Sequence, residues 1–219
     1  MEKSKAIFIH LPRTAGTSIR HDLMRTMNVK FLWPFGWQKT FPGQDLNLGE
    51  VPRRGHSNPG RAFIEKHPDA FSFCFIRNPW ERMVSTWRTN LYSFKHKVPF
   101  TGRKGYYKQI KPLVEKGSFT EFVRVAVKSF LGPQILVFTD DKGVLVDFVG
   151  RYEDLERDFS HICDTLGVRT ELSVQHSDNT NRLPFFTKAG EYRKFYTDET
   201  EKIVSEMDKG VIMRFNYSF

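Results

Sequence analysis

The sequence is poor in cysteine, in long apolar runs and in acidic residues. Its two cysteines, Cys74 and Cys163, stand far apart in apolar settings, which argues against a disulfide or a metal pair and favours two small buried side chains. No apolar run approaches the length that crosses a bilayer, and no small-residue cleavage site follows the basic N-terminus. These absences predict a cytoplasmic protein without a membrane span.

Acidic residues are also outnumbered, since 25 Asp and Glu face 34 Lys and Arg and leave a formal charge of +9. This balance predicts an anionic partner, namely a phosphate-bearing cofactor, an acidic polymer or nucleic acid, and does not choose among them. The chain is rich in core material, with 21 Phe and 39% hydrophobic residues. Its length predicts a single domain over residues 1–219.

Strand and helix signals alternate early in the chain, which predicts an α/β fold with a mainly parallel central sheet flanked by helices. Strands are predicted at 5–10, 71–77, 134–139 and 144–153, where short apolar runs stand between turn signals. Helices are predicted at 17–27, from Pro79 to about Tyr92, near 118–131, from Glu153 or Asp154 to Leu166, and from Thr197 onward. Residues 28–62 are rich in Pro, Gly and Trp and predict irregular structure.

The first candidate site is the turn in residues 7–19, IFIHLPRTAGTSI. A strand that leads through a turn into a helix exposes free backbone N–H groups, which bind phosphate or sulfate. Gly16 allows close approach of the backbone, Thr17 and Ser18 add hydroxyl donors, and Arg13 supplies a fixed charge. In the nucleotide triphosphate loop GxxxxGK[ST] the cation is a lysine near the end of the loop, whereas here it is Arg13 at the start. This difference favours a 5′-phosphate with one attached group over a β,γ-diphosphate as the ligand.

The second candidate site has the same layout in the stretch CFIRNPWERMVSTW. A strand ends in Arg77, a helix starts at once, and Ser85 lies inside that helix. Kinase-like folds usually end the corresponding strand in an acidic Mg²⁺ ligand, so an arginine here predicts direct, metal-independent binding of an anion. Arg82 and Arg88 are predicted to be solvated charges on the helix surface.

Together the two motifs resemble those of the PAPS-dependent sulfotransferases, whose donor is 3′-phosphoadenosine-5′-phosphosulfate, and in particular the carbohydrate branch with its heparan- and chondroitin-type and bacterial members. HLPRTAGTSI resembles the 5′-phosphosulfate loop, and FIRNPWERMVSTW the 3′-phosphate motif. VDFVGRYEDLERDFSHICDTLGV and the last 28 residues resemble later segments of that branch. The resemblance implies a P-loop-like sulfotransferase fold over most of the chain.

The resemblance also implies roles for individual residues. The 5′-phosphosulfate would be held by Arg13, Thr14, Ala15, Gly16, Thr17 and Ser18, and the 3′-phosphate by Arg77 and Ser85. The family commonly has Lys where this chain has Arg13, and often Gly where it has Ala15. Arginine keeps the charge, so donor binding is expected to survive, while its catalytic contact with the bridging oxygen of the leaving group is the feature that this departure puts in question.

An acceptor hydroxyl must lose a proton as it attacks, and histidine is the usual base near neutral pH. His56, in RRGHSNPGR, lies between the two motifs in the sequence, and the carbohydrate branch places a base histidine in a similar stretch, so His56 is the predicted base. His10 is the second candidate because it adjoins the first turn, although a histidine at a strand end more often packs or caps.

The predicted activity is therefore transfer of a sulfuryl group from PAPS to a hydroxyl of a glycan or small molecule, without metal. One alternative is a P-loop-like ATP-dependent kinase, which the missing loop lysine and the missing acidic strand end oppose. The other is a non-catalytic module for polyanions or nucleic acid, which the charge permits but which leaves both turns unexplained. No nucleic-acid partner is predicted.

Overall fold

A computed structural model of the chain describes residues 5–16, 18–19, 22–23, 30–32, 61–95, 110–113, 115–129, 131–170, 172 and 190–219. The chain divides into two compact units, Met1–Arg77 with Gln134–Val174 and Asn78–Pro133 with Gln175–Phe219. The single domain over residues 1–219 stays a prediction.

The strands and helices have the following bounds. The strands are β1 Lys5–Ile9, β2 Lys30–Leu32, β3 Ala70–Ile76, β4 Thr139–Asp140, β5 Gly143–Val144 and β6 Phe148–Arg151. The helices are α1 Arg61–Glu65, α2 Pro79–Lys95, α3 Phe119–Ser129, α4 Leu155–Leu166, α5 Asp198–Met207 and α6 Lys209–Phe215. Short 3₁₀ helices cover Gln134–Val137, Tyr152–Asp154 and Glu191–Phe195.

The first unit is built on a parallel sheet with strand order β2-β1-β3-β6, which confirms the predicted α/β class with a mainly parallel sheet. Every residue of β3 is buried, as expected of a parallel strand covered on both faces. Phe8 of β1 stacks on Phe73 of β3 at 5.0 Å between ring centroids, and Phe159 and Ile162 of α4 belong to the same core. Helix α4 therefore covers one face of this sheet.

Strand register brings the carboxyl ends of three strands to one edge of the sheet. Ile9 of β1 is aligned with Cys74 of β3, and Ile76 of β3 with Arg151 of β6. The residues that follow these strands begin at His10, Arg77 and Tyr152. In open α/β sheets this edge is where ligands bind, so the first predicted turn lies where such a site is expected.

The two cysteines confirm the prediction of small buried side chains. Cys74 and Cys163 are both buried and unpaired by a disulfide. Burial holds the pKa of the Cys74 thiol far above its usual range and raises the pKa of Cys163 to about 11, with the negative charges of Asp164 and Asp22 adding to the shift at Cys163. Both thiols are neutral and inert under ordinary conditions.

The strand predicted at 134–139 is wrong. Gln134–Val137 forms a 3₁₀ helix, and the Thr139 hydroxyl donates to the Ile135 carbonyl oxygen at 2.7 Å, which closes the last turn. Only Thr139 and Asp140 are extended, and they pair with β5 as a small hairpin. An apolar run of this length does not distinguish a strand from a buried helical turn, because both hide every side chain.

In the second unit, α2 begins as the sequence predicts. The Asn78 side-chain oxygen accepts hydrogen bonds from the backbone N–H groups of Trp80 and Glu81, both at 3.1 Å, and Pro79 is the first helical residue. Thr197 likewise caps α5, with Thr200 completing a reciprocal capping box. Within the described ranges no helix has the length and apolarity needed to cross a bilayer.

The prediction that Arg82 is a solvated surface charge is wrong. Its side chain on α2 is only 3% exposed and forms an ion pair with Asp208, which is fully buried, at 3.8 Å between Nη1 and Oδ2. A helix surface that packs against two other helices is not solvated, and a buried arginine then needs a carboxylate. In the same unit the Tyr196 hydroxyl donates to the Trp80 carbonyl oxygen at 2.8 Å.

Candidate anion-binding site

The loop after β1 carries two non-glycine residues in the left-handed region of backbone conformation. Arg13 has φ 72° and Ala15 has φ 61°, and Thr14 between them is buried, its hydroxyl donating to the Leu11 carbonyl oxygen at 2.7 Å. Alternation of left-handed and ordinary residues turns successive N–H groups toward one concavity, which is how backbone nests bind anions. Left-handed backbone costs a non-glycine residue free energy, and such strain is concentrated at functional sites.

The next residue, Gly16, is required by a close contact with His10. A Cβ atom at position 16 would overlap the His10 imidazole, so no larger residue fits without displacing that ring. His10 is buried and stacks on Phe8, with 5.7 Å between the ring centroids. The second candidate base thus packs beneath the loop, and its ring shapes the turn through Gly16.

Arg13 and Arg77 lie side by side at this edge of the sheet, and that pairing defines the candidate site. Arg77 is 4% exposed, and its Nη1 donates to the Arg13 carbonyl oxygen at 3.3 Å. Burial, with the positive charge of Arg77 adding to it, lowers the pKa of Arg13 to about 10. The two like charges repel each other, as the lowered pKa of Arg13 indicates, and a bound anion would relieve this repulsion.

Tyr152 belongs to the same group, and the sequence patterns did not single it out. The Arg77 guanidinium lies over its ring at 3.9 Å from the centroid, and the phenol opposes the fall in the pKa of Arg13. Its signal is positional, since it directly follows β6 at the edge where β1 and β3 also end. Stacking fixes the plane of the Arg77 guanidinium and therefore the direction of its donors.

Two of the remaining predicted site residues, Ser18 and Ser85, are described by the structure. Ser18 is buried and helical after the loop, and Ser85 is buried on α2 in the second unit, its carbonyl oxygen accepting from the Thr89 hydroxyl. Thr17 and His56 lie outside the described residues. Among the residues that the structure describes, no three His, Cys, Asp or Glu side chains cluster as a metal site would require.

A parallel α/β sheet with a strained loop and two adjacent arginines at its carboxyl edge has the features expected of a protein that binds a phosphate- or sulfate-bearing ligand. Comparison with known proteins narrows this class. The sequence model of the sulfotransferase family matches residues 1–216, and the chain belongs to that family.

Two individual proteins are also similar to this chain. An uncharacterized protein of Archaeoglobus fulgidus is 32% identical over 105 residues, which make up 47% of this chain and 72% of the relative. The crystal structure of mouse sulfotransferase SULT7A1 complexed with PAP matches with a TM-score of 0.48 and 11% identity, covering 100% of this chain and 90% of the mouse chain.

Proposed function

We propose that the protein transfers the sulfuryl group of PAPS to the hydroxyl of an acceptor, a carbohydrate in our proposal, and that it does so in the cytoplasm. The pair Arg13 and Arg77 carries this proposal, because two adjacent cations at the sheet edge, one half-buried and one buried, suit a donor with separate 5′ and 3′ anionic groups. Membership of the sulfotransferase family supports the same reaction class.

In this proposal the loop residues Arg13 to Ser18 hold the 5′-phosphosulfate. The nest formed by the left-handed residues Arg13 and Ala15 supplies backbone donors, and Gly16 permits close approach. The donor contributes the sulfuryl group. Arg13 stabilises the negative charge that grows on the 5′-phosphate oxygen as the sulfur–oxygen bond breaks, a task that needs fixed cations and dipoles.

Arg77 binds the 3′-phosphate in this proposal, with its guanidinium oriented by Tyr152 and by the Arg13 carbonyl. A planar fork of donors suits a phosphate, which accepts two parallel hydrogen bonds. The assignment of Ser85 to the same phosphate rests on the sequence motif.

His56 serves as the general base. It accepts the proton of the attacking hydroxyl, the acceptor oxygen bonds to sulfur, and the products are a sulfate ester and adenosine 3′,5′-bisphosphate. The assignment rests on the position of His56 between the two motifs in the sequence. A base near neutral pH is the requirement that histidine meets.

The test combines transfer with binding. Radiolabelled PAPS is offered with glycan, lipid, peptide and small-molecule hydroxyls, and a thermal-shift panel compares PAPS, adenosine 3′,5′-bisphosphate, ATP with Mg²⁺ and an oligonucleotide. We expect label on a glycan and stabilisation by the first two ligands. Stabilisation by ATP with Mg²⁺ or by the oligonucleotide alone would overturn the proposal in favour of a kinase or a nucleic-acid-binding module.

A matched pair of histidine variants tests the base. His56→Ala should abolish transfer while adenosine 3′,5′-bisphosphate still binds in calorimetry, whereas His67→Ala, at a histidine outside the motifs that packs against Phe63, should keep both. Normal turnover in His56→Ala would remove His56 from the mechanism.

A further inference from the structure

A buried glutamine forms a paired hydrogen bond with the backbone of Arg77. The Arg77 N–H donates to Gln134 Oε1 at 3.0 Å, and Gln134 Nε2 donates to the Arg77 carbonyl oxygen at 2.9 Å. Gln134 opens the 3₁₀ helix Gln134–Val137 and is fully buried. Its side-chain amide therefore acts toward Arg77 as the backbone of a neighbouring strand would.

The reason for this pairing lies in the sheet. The last aligned pair of β3 and β6 is Ile76 with Arg151, so Arg77 stands one residue past the end of the ladder. Its buried backbone N–H and carbonyl still need partners, because an unsatisfied buried group of this kind destabilises the fold. An amide side chain is the one neutral side chain that offers a donor and an acceptor side by side.

The two hydrogen bonds with Gln134 fix the position of the Arg77 Cα atom, from which the side chain extends. The backbone on both sides of its Cα atom is fixed by Gln134, and its guanidinium is then held over Tyr152 and against the Arg13 carbonyl. The donors of a long side chain are placed accurately only if the backbone that carries it is fixed. A displacement of a binding group by about 1 Å weakens its interaction with the ligand substantially.

We infer that Gln134 is a positioning residue for anion recognition, which holds the Arg77 backbone so that its guanidinium meets the 3′-phosphate of the nucleotide. This inference rests on the proposed function, which assigns Arg77 to that phosphate. Gln134 itself makes no contact with the ligand in this account and acts through Arg77. Replacing it should therefore weaken recognition of the 3′-phosphate and leave the rest of the nucleotide's binding unchanged.

The experiment measures discrimination by calorimetry, as the ratio of affinities for adenosine 3′,5′-bisphosphate and for adenosine 5′-monophosphate. Gln134→Leu removes both hydrogen bonds, and Gln134→Glu keeps the volume while turning an oxygen toward the Arg77 carbonyl. We expect each to lower the ratio about tenfold, with the affinity for the monophosphate changed by less than about twofold.

Asp147→Ala provides the matched control, because Asp147 also binds the backbone of β3 through its side chain. It accepts from the Ser72 N–H at 2.8 Å, at the opposite end of the strand from Arg77. This variant should melt at a lower temperature and keep the wild-type ratio. A lowered ratio in the control as well would make the effect one of general stability and overturn the inference.

The remaining outcomes separate this inference from the proposed function. A wild-type protein that binds both nucleotides equally would overturn the assignment of Arg77 and the inference with it. A wild-type preference for the bisphosphate that persists in both Gln134 variants would overturn the inference alone. If neither variant folds, Gln134 is a residue of the folding core, and the positioning role is likewise rejected.

Discussion

Arg77 and Arg82 are five positions apart and almost equally buried, at 4% and 2% exposure, yet their surroundings are opposite. Arg82, in the second unit, faces the buried carboxylate of Asp208 at 3.8 Å. Arg77, in the first unit, lies against the backbone of a second arginine and over the ring of Tyr152. Burial alone therefore does not distinguish a structural arginine from one prepared for a ligand.

The backbone conformations of the two regions also differ. Arg82 belongs to the regular helix α2, whereas Arg13, the neighbour of Arg77, has left-handed backbone, as does Ala15 two residues later. One region satisfies its charge internally and is relaxed, and the other combines like charges with backbone strain. Local instability of this second kind is what functional sites tolerate because a ligand compensates for it.

The largest expected effect on stability is at Arg82, whose charge is satisfied within the protein. Arg82→Ala should lower the free energy of unfolding by about 3–5 kcal/mol, because it leaves the Asp208 carboxylate buried without its partner. Urea unfolding measures this. The double variant Arg82→Met with Asp208→Leu should recover most of the loss, since a well-packed apolar pair replaces a buried ion pair at little cost. A loss below about 1 kcal/mol in Arg82→Ala would show that the pair is not structural.

A substitution at Arg13, in the strained loop, should have the opposite effect on stability. Arg13→Gln should reduce turnover by about 100- to 1000-fold, as loss of a group that stabilises transition-state charge does. It should also raise the stability of the ligand-free protein, by at most about 3 kcal/mol, because partial burial and the charge of Arg77 make the charged Arg13 unfavourable in the fold. Turnover and urea unfolding measure the two effects.

The pH dependence of that stability gain follows from the sign of the shift. The folded pKa of Arg13, about 10, lies below the ordinary value of an arginine, so folding is penalised in full below about pH 10 and the penalty shrinks only as the pH rises above 10. The gain in Arg13→Gln should therefore be constant from about pH 6 to 9. Arg61→Gln is the control, since the hydrogen bond that Arg61 donates to the Asp140 carboxylate raises the pKa of Arg61, and loss of that bond should lower stability.

Arg77→Ala should weaken binding of adenosine 3′,5′-bisphosphate by about 10- to 150-fold, the range for losing hydrogen bonds to a charged group. Affinity for adenosine 5′-monophosphate should hardly change. The double variant of Arg82 and Asp208 should retain wild-type affinity for both nucleotides in calorimetry. Equal losses for the two nucleotides in Arg77→Ala would contradict the assignment to the 3′-phosphate.

The sequence predicts β1, β3, the start of α2 and the end of α4 because the signals for these elements are local. β1 and β3 are continuous apolar runs, Asn78 and Pro79 start α2, and the left-handed Gly167 ends α4. β2 has three residues, too few to produce a periodic pattern, and lies in a stretch predicted to be irregular.

In the candidate site, too, some residues could be predicted from local sequence signals and others could not. The loop from Arg13 to Gly16 and the arginine after β3 are readable from strand, turn and helix signals alone. The partners that decide the roles of the arginines are distant in sequence: Asp208 for Arg82, and Gln134 and Tyr152 for Arg77. Only the fold brings each arginine together with these partners. The sequence could therefore identify the motif that contains the arginine but not the residues that contact it.

The smallest expected effect isolates backbone strain from charge. Ala15→Gly should raise the free energy of unfolding by about 0.5–1 kcal/mol, because glycine adopts φ 61° without the clash that a Cβ atom causes. Gly16→Ala should have the opposite sign, since its Cβ would overlap the His10 ring. Thermal unfolding of both variants measures the difference. The methyl group of Ala15 packs on the hydrophobic core, so a lower melting temperature in Ala15→Gly would mean that this packing outweighs the strain and that the loop is not a strained element.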